Sequence, residues 1–278
     1  MDRAGWQRLE RSTGRIELGV RVHRGTTRVA HLLEQGCGRV RFPRAPDGLE
    51  VLLLNNAGGL ADGDTLEQTM TVGAGARLTA ATASAEKVYR ARTLEPARVT
   101  TRLEVDAGGT LVWLPQATIL FDSARLRRRL DIDLAAGATL LMAELLVFGR
   151  TARGEVVRSG FLHDARALRL DGRLVRLDAL RLEGDMAEAL DRAAVADGAR
   201  ALGTLLAVAD GLEPQLDTIR GWLDALPGRA GASYRAPVLT VRFLAPDGLA
   251  LQRAVAEVVQ RLLSPRGRPA ALPRVRGC

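Results

Sequence analysis

The chain has 278 residues, 47% of them apolar and 26% charged, a balance typical of a globular protein and not of a disordered one. The formal net charge is +8, but Lys87 is the only lysine, so arginine supplies almost all of the positive charge. Such a preference for arginine in a chain rich in alanine and glycine indicates a GC-rich genome more than a polyanionic partner. Cys37 and Cys278 are too few for a disulfide framework, and no apolar run is long enough to cross a membrane. We therefore expect a cytoplasmic protein whose partners include neither nucleic acid nor membrane.

Strand patterns fill the first two thirds of the chain. Residues 16–22 alternate between apolar and polar side chains, 40–42 form a short piece before Pro43, and 49–54 are an apolar run. Three further segments, 66–81, 99–114 and 129–146, each pass from one strand through an Ala-Gly turn into another. Units of about 30 residues that cannot bury their apolar faces alone stack into a continuous core. The pattern predicts a mainly β body, a β-helix-like solenoid or a layered sandwich, over residues 1–183, with a hairpin at Asp171-Gly172.

The pattern changes after residue 183. Apolar side chains at helical spacing predict helices at 186–196, 213–226 and 249–263, the second of which stops at Pro227-Gly228. The apolar run at 202–209 fits a strand as well as a helix, and residues 237–244 are predicted to form a strand. Residues 184–278 are therefore predicted to form a small α/β portion packed on the body, with a Pro-, Gly- and Arg-rich tail at the surface.

The motifs of the common catalytic and metal-binding sites are absent from the sequence. A P-loop requires Gly-Lys-Ser/Thr, but Lys87 stands between Glu86 and Val88. The three histidines are not spaced as paired ligands, and neither cysteine has a cysteine neighbour. His163-Asp164 is a candidate for an oriented base, but a histidine beside an aspartate in an arginine-rich strand is expected to be a surface residue. We therefore expect a protein that is not an enzyme and holds no tightly bound cofactor or metal.

Two polar features stand out against this background. The segment NNAGGLADGD, residues 55–64, follows an apolar strand; it is interpreted as a tight turn, or as a place where Asp62 and Asp64 weakly bind a hard cation. Glu144 interrupts an otherwise apolar strand, and burying an unpaired carboxylate costs several kcal/mol. Glu144 is therefore expected either to pair with an arginine such as Arg90 or Arg150, or to line a polar channel.

Arginines are clustered at one point and interleaved with acids at another. Arg125, Arg127, Arg128 and Arg129 form the densest basic group, for which a role in protein binding or structure is favoured over nucleic-acid binding. Between residues 166 and 178 arginines and acids are interleaved, a pattern interpreted as a solvated strand face.

Six collinear segments carry a family resemblance. They are NNAGGLADGDTLE from residue 55, AEKVYRA from 85, WLPQATILFDSARLRRR from 113, AELLVFGRTARGE from 143, LGTLLA from 202 and LPRV from 272. Together they resemble the UreD (also called UreH) family of urease accessory proteins over about residues 15–275. Many members have glycine where Asp62 stands, which weakens any role of that turn through its backbone alone.

The resemblance implies a β-helix-like fold with a small helical portion and a non-catalytic scaffold or chaperone. Such proteins bind apo-urease and the accessory protein UreF, which in turn docks the nickel-carrying GTPase UreG, so that nickel enters the urease metallocentre. Nickel is thought to pass through an internal water-filled tunnel, in transit and without a tight site. On this hypothesis the candidate nickel-path carboxylates are Glu144, Asp62, Asp64 and Glu86. The candidate structural or interface residues are Tyr89, Arg90, Phe121 and Asp122.

Three alternatives remain. A β-solenoid protein-binding module without a metal role would share the fold and would lack a urease operon nearby. A carbohydrate- or nucleotide-active enzyme on a β-helix requires a pair of carboxylates in a cleft, for which the sequence offers no clean candidate. A basic nucleic-acid binder would bind DNA with steep salt dependence.

Overall fold

The computed structural model describes residues 10–44, 48–150 and 153–264, and its helices and strands are named here in chain order. The strands of the first half are β1 (Thr13–His23), β2 (Thr26–Gly36), β3 (Gly38–Arg41), β4 (Leu49–Asn55), β5 (Thr65–Val72), β6 (Arg77–Thr82), β7 (Glu86–Val88), β8 (Ala97–Val105), β9 (Thr110–Trp113) and β10 (Thr118–Leu120). The remaining strands are β11 (Arg125–Leu134), β12 (Thr139–Phe148), β13 (Phe161–Leu170), β14 (Arg173–Glu183), β15 (Ala201–Val208), β16 (Arg229–Arg235) and β17 (Val238–Ala245). The α-helices are α1 (Met186–Asp191), α2 (Leu216–Leu223), preceded by a 3₁₀ turn at Glu213–Gln215, and α3 (Gly248–Leu263).

Two sheets face each other. The first has seven strands in the order β14-β13-β11-β8-β5-β1-β2, parallel from β13 to β1 and antiparallel at both edges. The second has ten strands, following β16-β17-β15-β12-β9-β6-β4-β3, with β7 and β10 paired beside β12. The chain passes from β5 to β6, from β8 to β9 and from β11 to β12, so each coil contributes one strand to each sheet. This arrangement confirms the predicted mainly β, solenoid-like fold of stacked sheets.

The Ala-Gly turns of the repeat make the coils stack. Gly75, Gly108 and Gly137 each have a φ near +70°, at +66°, +68° and +73°, which glycine adopts without strain. A Cβ added to Gly108 would lie 3.9 Å from the nitrogen of Gly75, and one added to Gly137 would lie 4.0 Å from that of Gly108. The three turns therefore lie one above the other at one end of the coils.

Aliphatic side chains fill three cores, as the low aromatic content of 4% requires. The first core lies between the two sheets and includes Leu18, Met70, Leu103 and Trp113. The second packs the ten-stranded sheet against α2 and α3, and the third closes the end of the body around α1.

Some elements differ from their predictions. Strands β2 and β16 were not predicted; β2 is an edge strand, largely exposed on both faces, and therefore has no apolar alternation. The helix predicted at 186–196 ends at Asp191, since turns follow up to Gly198. The tail from residue 265 onward, which includes the segment LPRV, lies outside the described residues.

The C-terminal portion is joined to the body by hydrogen bonds. Strand β15 pairs antiparallel with β12 and extends the ten-stranded sheet through β17 to β16. The division at residues 183 and 184 stays a prediction. In the described part of the chain no helix has the length and apolar character needed to span a membrane.

Candidate functional site

Two adjoining cavities, the outer one mainly polar and the inner one mainly apolar, lie at the end of the body from which β5, β8 and β11 start. The outer cavity has a volume of about 90 Å³ and the inner cavity about 50 Å³. The outer cavity is lined by Leu53, Leu54, Asn55, Gly58, Gly59, Leu66, Gln68, Thr82, Ser84, Ala85, Glu86 and Lys87. The inner cavity is lined by Leu60, Leu66, Gln68, Thr82, Glu86, Val99, Trp113, Pro115, Gln116, Thr118, Leu126, Arg128 and Glu144. Four residues, Leu66, Gln68, Thr82 and Glu86, line both cavities.

Glu86 lies where the two cavities meet. Strand β7 carries it opposite Thr118 of β10, and Nδ2 of Asn55 donates to its two carboxylate oxygens at 3.2 and 3.3 Å. Burial raises the pKa of Glu86 to about 7, because the negative charge of Asp64 adds to desolvation and outweighs the bond from Asn55. Glu86 is therefore a carboxyl group that changes its charge near neutral pH.

Glu144 lies at the other end of the inner cavity, paired with arginines. Its Oε2 accepts a hydrogen bond from Nε of Arg166 at 2.8 Å and lies 3.4 Å from Nη2 of Arg128. Pairing with an arginine was expected, but Arg90 and Arg150 were the wrong partners. Arg128 belongs to the basic group noted in the sequence; it points inward from β11, and its Nη1 donates to Oγ1 of Thr118 at 3.2 Å.

Asp164 completes this buried charge network. It is fully buried and joins Arg128 and Arg166, at 2.7 Å from Nε of Arg128 and 2.6 Å from Nη2 of Arg166. The interpretation of residues 166–178 as a solvated strand face is therefore wrong for Arg166, which is buried together with Asp164. Alternation along β13 turns every second side chain inward, and mutual neutralisation makes burial of these charges tolerable. The two arginines and two acids balance, so Glu144 meets the inner cavity as a neutralised group.

Trp113 adds an unpaired donor to the inner cavity. The residue is 2% exposed, and its indole Nε1 has no hydrogen-bond partner within the residues that the structure describes. Gln68, which also lines this cavity, accepts a hydrogen bond from Oγ1 of Thr101 at 3.2 Å. A cavity of this size has room for a water molecule where polar side chains offer it partners. The inner cavity thus has mainly apolar walls with a few polar groups, and its size limits it to small species.

Asp62 and Asp64 lie beside the cavities but are not among the residues that line them. Oδ2 of Asp62 accepts from Thr93 at 2.6 Å and from Arg11 at 3.0 Å. Burial alone would raise the pKa of Asp62, but these partners outweigh it and hold that pKa below its ordinary value. Asp64 accepts from the backbone nitrogens of Ser12 at 2.8 Å and Ala61 at 2.7 Å. Both carboxylates thus have partners that fix the turn at residues 56–64.

Tyr89, Arg90, Phe121 and Asp122 come together at the surface next to the outer cavity. Tyr89 meets the ring of Phe121 edge-on, with centroids 5.2 Å apart, and its hydroxyl donates to the carbonyl of Gly58 at 2.9 Å. Arg90, which is exposed, forms an isolated bridge with Ala124.

The other side of this group is held by acids. Asp122 accepts from the backbone nitrogens of Arg158 at 2.8 Å and Ser159 at 3.0 Å. Arg150 lies over the ring of Phe121 at 4.3 Å and forms a bidentate pair with Glu155, with Nε 2.8 Å and Nη2 3.1 Å from its oxygens. Sequence reasoning missed Arg150 and Glu155 as members of this group, although both stand in a segment that resembles the family.

A preformed cluster of metal ligands is absent from the part of the chain that the structure describes. Among residues 10–44, 48–150 and 153–264, no group of three or more His, Cys, Asp or Glu side chains is placed to hold a metal ion. The arrangement instead offers single carboxylates and amides spaced along two cavities. Such ligands bind a cation weakly and release it readily.

Comparison of the sequence with known proteins identifies the same family that the six segments resemble. Residues 12–277 match the family model described as UreD urease accessory protein. The chain is 47% identical to the urease accessory protein UreD of Xanthobacter autotrophicus, an alignment that covers 96% of this chain and 90% of that protein. It is 44% identical to the UreD protein of Methylobacterium sp. (97% and 96% covered) and 43% identical to that of Azorhizobium caulinodans (98% of both). With a family match over most of its length and relatives of this similarity, the chain belongs to the UreD family of urease accessory proteins.

Proposed function

We propose that this chain is a non-catalytic scaffold for maturation of the urease metallocentre. In this role it binds apo-urease and UreF in the cytoplasm, UreF brings the GTPase UreG, and nickel passes through the chain as cargo on its way into urease. Membership of the UreD family supports the role in urease maturation. The partners and the passage of nickel are the parts that we add.

The observation that carries the nickel path is the pair of adjoining cavities. They run from the turn at Gly58 and Gly59 to Glu144, and they share Glu86. A cation in transit must leave as easily as it enters, so isolated oxygen ligands suit it better than a closed cage of nitrogen and sulfur ligands.

The two cavity carboxylates have different roles in this proposal. Glu144 is neutralised by Arg128 and Arg166, so a cation that approaches it also meets two positive charges. Glu86 forms no salt bridge in the part of the chain that the structure describes, and its partner Asn55 is a neutral amide. We therefore assign contact with the cation to Glu86, and to Glu144 the task of holding the inner wall together.

The test is urease activation in cells whose own UreD gene is deleted and replaced by variants of this chain. Glu86→Gln and Glu144→Ala are compared with Glu67→Gln, a matched control on the exposed face of β5. Urease activity, nickel content of the purified urease and co-purification of urease and UreF are measured together. We expect Glu86→Gln to keep the complex but lower nickel content, and Glu144→Ala to lower both.

Each part of the proposal has a contrary result. If the wild-type chain does not co-purify with apo-urease and UreF, the scaffold role fails. Normal nickel content with Glu86→Gln removes Glu86 from the path, and normal activation with Glu144→Ala removes Glu144 as well. A complex that forms normally while neither variant changes nickel content supports the alternative, a β-solenoid binding module without a metal role.

A further inference from the structure

Three arginines surround one aromatic ring on the outer face of the seven-stranded sheet, and a fourth lies opposite one of them. The guanidinium carbon of Arg125 lies 5.0 Å from the centroid of the Phe161 ring, that of Arg127 at 5.9 Å and that of Arg181 at 6.0 Å. Arg98 of β8 stands directly opposite Arg127 in the register of β8 and β11. We call these four arginines with Phe161 the basic patch.

The other end of the same sheet face differs in charge. There Asp131 pairs with Arg129 and also lies 3.6 Å from Arg169, so arginines and acids neutralise each other. In the basic patch, by contrast, neither Arg125 nor Arg127 has an ion-pair partner among the described residues. Sheet architecture alone therefore does not account for the arginines of the patch.

Acids at the rim of the patch neutralise only part of its charge. Arg98 has one acid, Glu95, at 3.9 Å, and Arg181 has Glu183 at 2.9 Å. Four arginines and two glutamates leave an excess of positive charge. Guanidinium groups that stack on a ring keep their N–H edges free, and this geometry suits bidentate binding of carboxylates.

A protruding leucine adjoins the patch. Leu94 is 81% exposed, and its carbonyl accepts a hydrogen bond from Nε of Arg125 at 2.9 Å. The neighbouring Thr93 is bonded to Asp62, which ties this loop to the turn beside the outer cavity. Arginines are enriched in protein interfaces, and an exposed apolar side chain beside them offers area that a partner can bury.

From these observations we infer that Leu94 and the basic patch form a docking surface for an acidic surface of apo-urease that carries an apolar pocket. This inference rests on the proposed function, in which the chain, as a urease accessory protein, binds apo-urease. The arginines would bind carboxylates of the partner and Leu94 would fill its pocket. Docking there would place the partner next to the turn that leads to the outer cavity.

The same features disfavour nucleic acid as the occupant. The ring of Phe161 is 7% exposed beneath the guanidinium groups, so no base can stack on it. Glu95 and Glu183 at the rim would repel phosphates. A polyphosphate backbone offers no apolar surface to contact Leu94, whereas a protein surface offers both an apolar pocket and carboxylates.

The experiment measures binding of the purified full chain to purified apo-urease. The first variant is Arg98→Glu/Arg127→Glu, a facing pair of exposed side chains, and the second is Leu94→Ala. Arg21→Glu/Arg28→Glu is the matched control, since these exposed residues also face each other in the same sheet and the change in net charge is identical. Circular dichroism and thermal unfolding establish that each variant is folded.

We expect the first variant to weaken binding at least about tenfold at low salt, and Leu94→Ala about fivefold. The affinity of the wild-type chain for apo-urease should fall as the salt concentration rises from about 50 to about 300 mM. The affinity of the first variant should fall less over the same range. If the first variant binds apo-urease with wild-type affinity, or loses no more affinity than the control, the docking surface is overturned and the proposed function still stands. The docking surface is also overturned if the first variant binds duplex DNA or itself less well but keeps its affinity for apo-urease. Failure of the wild-type chain to bind apo-urease would overturn both.

Discussion

Asp164 of β13 stands opposite Arg128 of β11, and the carboxylate and guanidinium groups form two hydrogen bonds of 2.7 and 3.0 Å in the interior of the protein. Arg166, two residues further along β13, joins this pair to Glu144 on the opposite sheet. The network therefore crosses the space between the two sheets. Its four charges stabilise one another only as a set.

Removing one charge from this set should be costly. In Asp164→Asn, two arginines remain buried with a single carboxylate, and breaking a buried pair in this way typically costs about 3–5 kcal/mol. We expect the free energy of unfolding in urea at neutral pH to fall by that amount. Asp133→Asn is the control, because Asp133 is half exposed and lies 4.0 Å from its arginine. A loss below about 1 kcal/mol would contradict the assigned role of the network.

The raised pKa of Glu86 predicts a pH dependence of stability. Its pKa of about 7 exceeds the ordinary value of 4.5, so the folded state favours the protonated form. The corresponding stability is fully present below pH 4.5 and is lost as the pH rises through 7. Glu86→Gln cannot ionise; between pH 5 and pH 8 the wild type should therefore lose up to about 3 kcal/mol relative to the variant. Chemical unfolding across this range measures the difference, and parallel curves would show that the carboxyl group does not titrate there.

Gly59 should not tolerate a side chain. A Cβ at this position would lie 2.4 Å from Cε2 of Tyr89, and the φ of +149° is strained for any other residue. We expect Gly59→Ala to lower the free energy of unfolding by about 2–4 kcal/mol. The substitution should also displace Tyr89 and thereby change the near-ultraviolet circular dichroism. Gly58→Ala provides the comparison, because its φ of +76° is also positive but the space around it is open. Equal effects of the two substitutions would assign the cost to the backbone alone.

Asp62 is expected to stabilise the fold and not to take part in the passage of nickel. Its oxygen binds Thr93 and Arg11, so Asp62→Asn should weaken these bonds and lower the free energy of unfolding by about 1–3 kcal/mol. Urease activation per amount of folded chain should stay at the wild-type level, measured with the nickel content of the urease. A folded Asp62→Asn chain that leaves urease poor in nickel would instead place Asp62 on the path.

The sequence determined the repeating body. The Ala-Gly turns and the aliphatic strands on either side of them are local features, because positive φ and alternation are properties of a few adjacent residues. That is why the stacked coils around Gly75, Gly108 and Gly137 were predictable. The edge strand β2 was not, since a strand largely exposed on both faces leaves no alternation to detect. The edge strand β16 does alternate, but its inward side chains include two alanines, which give only a weak apolar signal.

Only the tertiary structure decided which charges meet. The sequence marked Glu144 as a carboxylate that needs a partner, but Arg166 lies 22 positions away and reaches it from the opposite sheet. Likewise Asn55 and Glu86, 31 positions apart, meet because β4 ends and β7 begins beside the outer cavity. Desolvation makes such pairing obligatory, yet it does not specify the partner. The partner is fixed by the register of the strands, which many distant contacts set together.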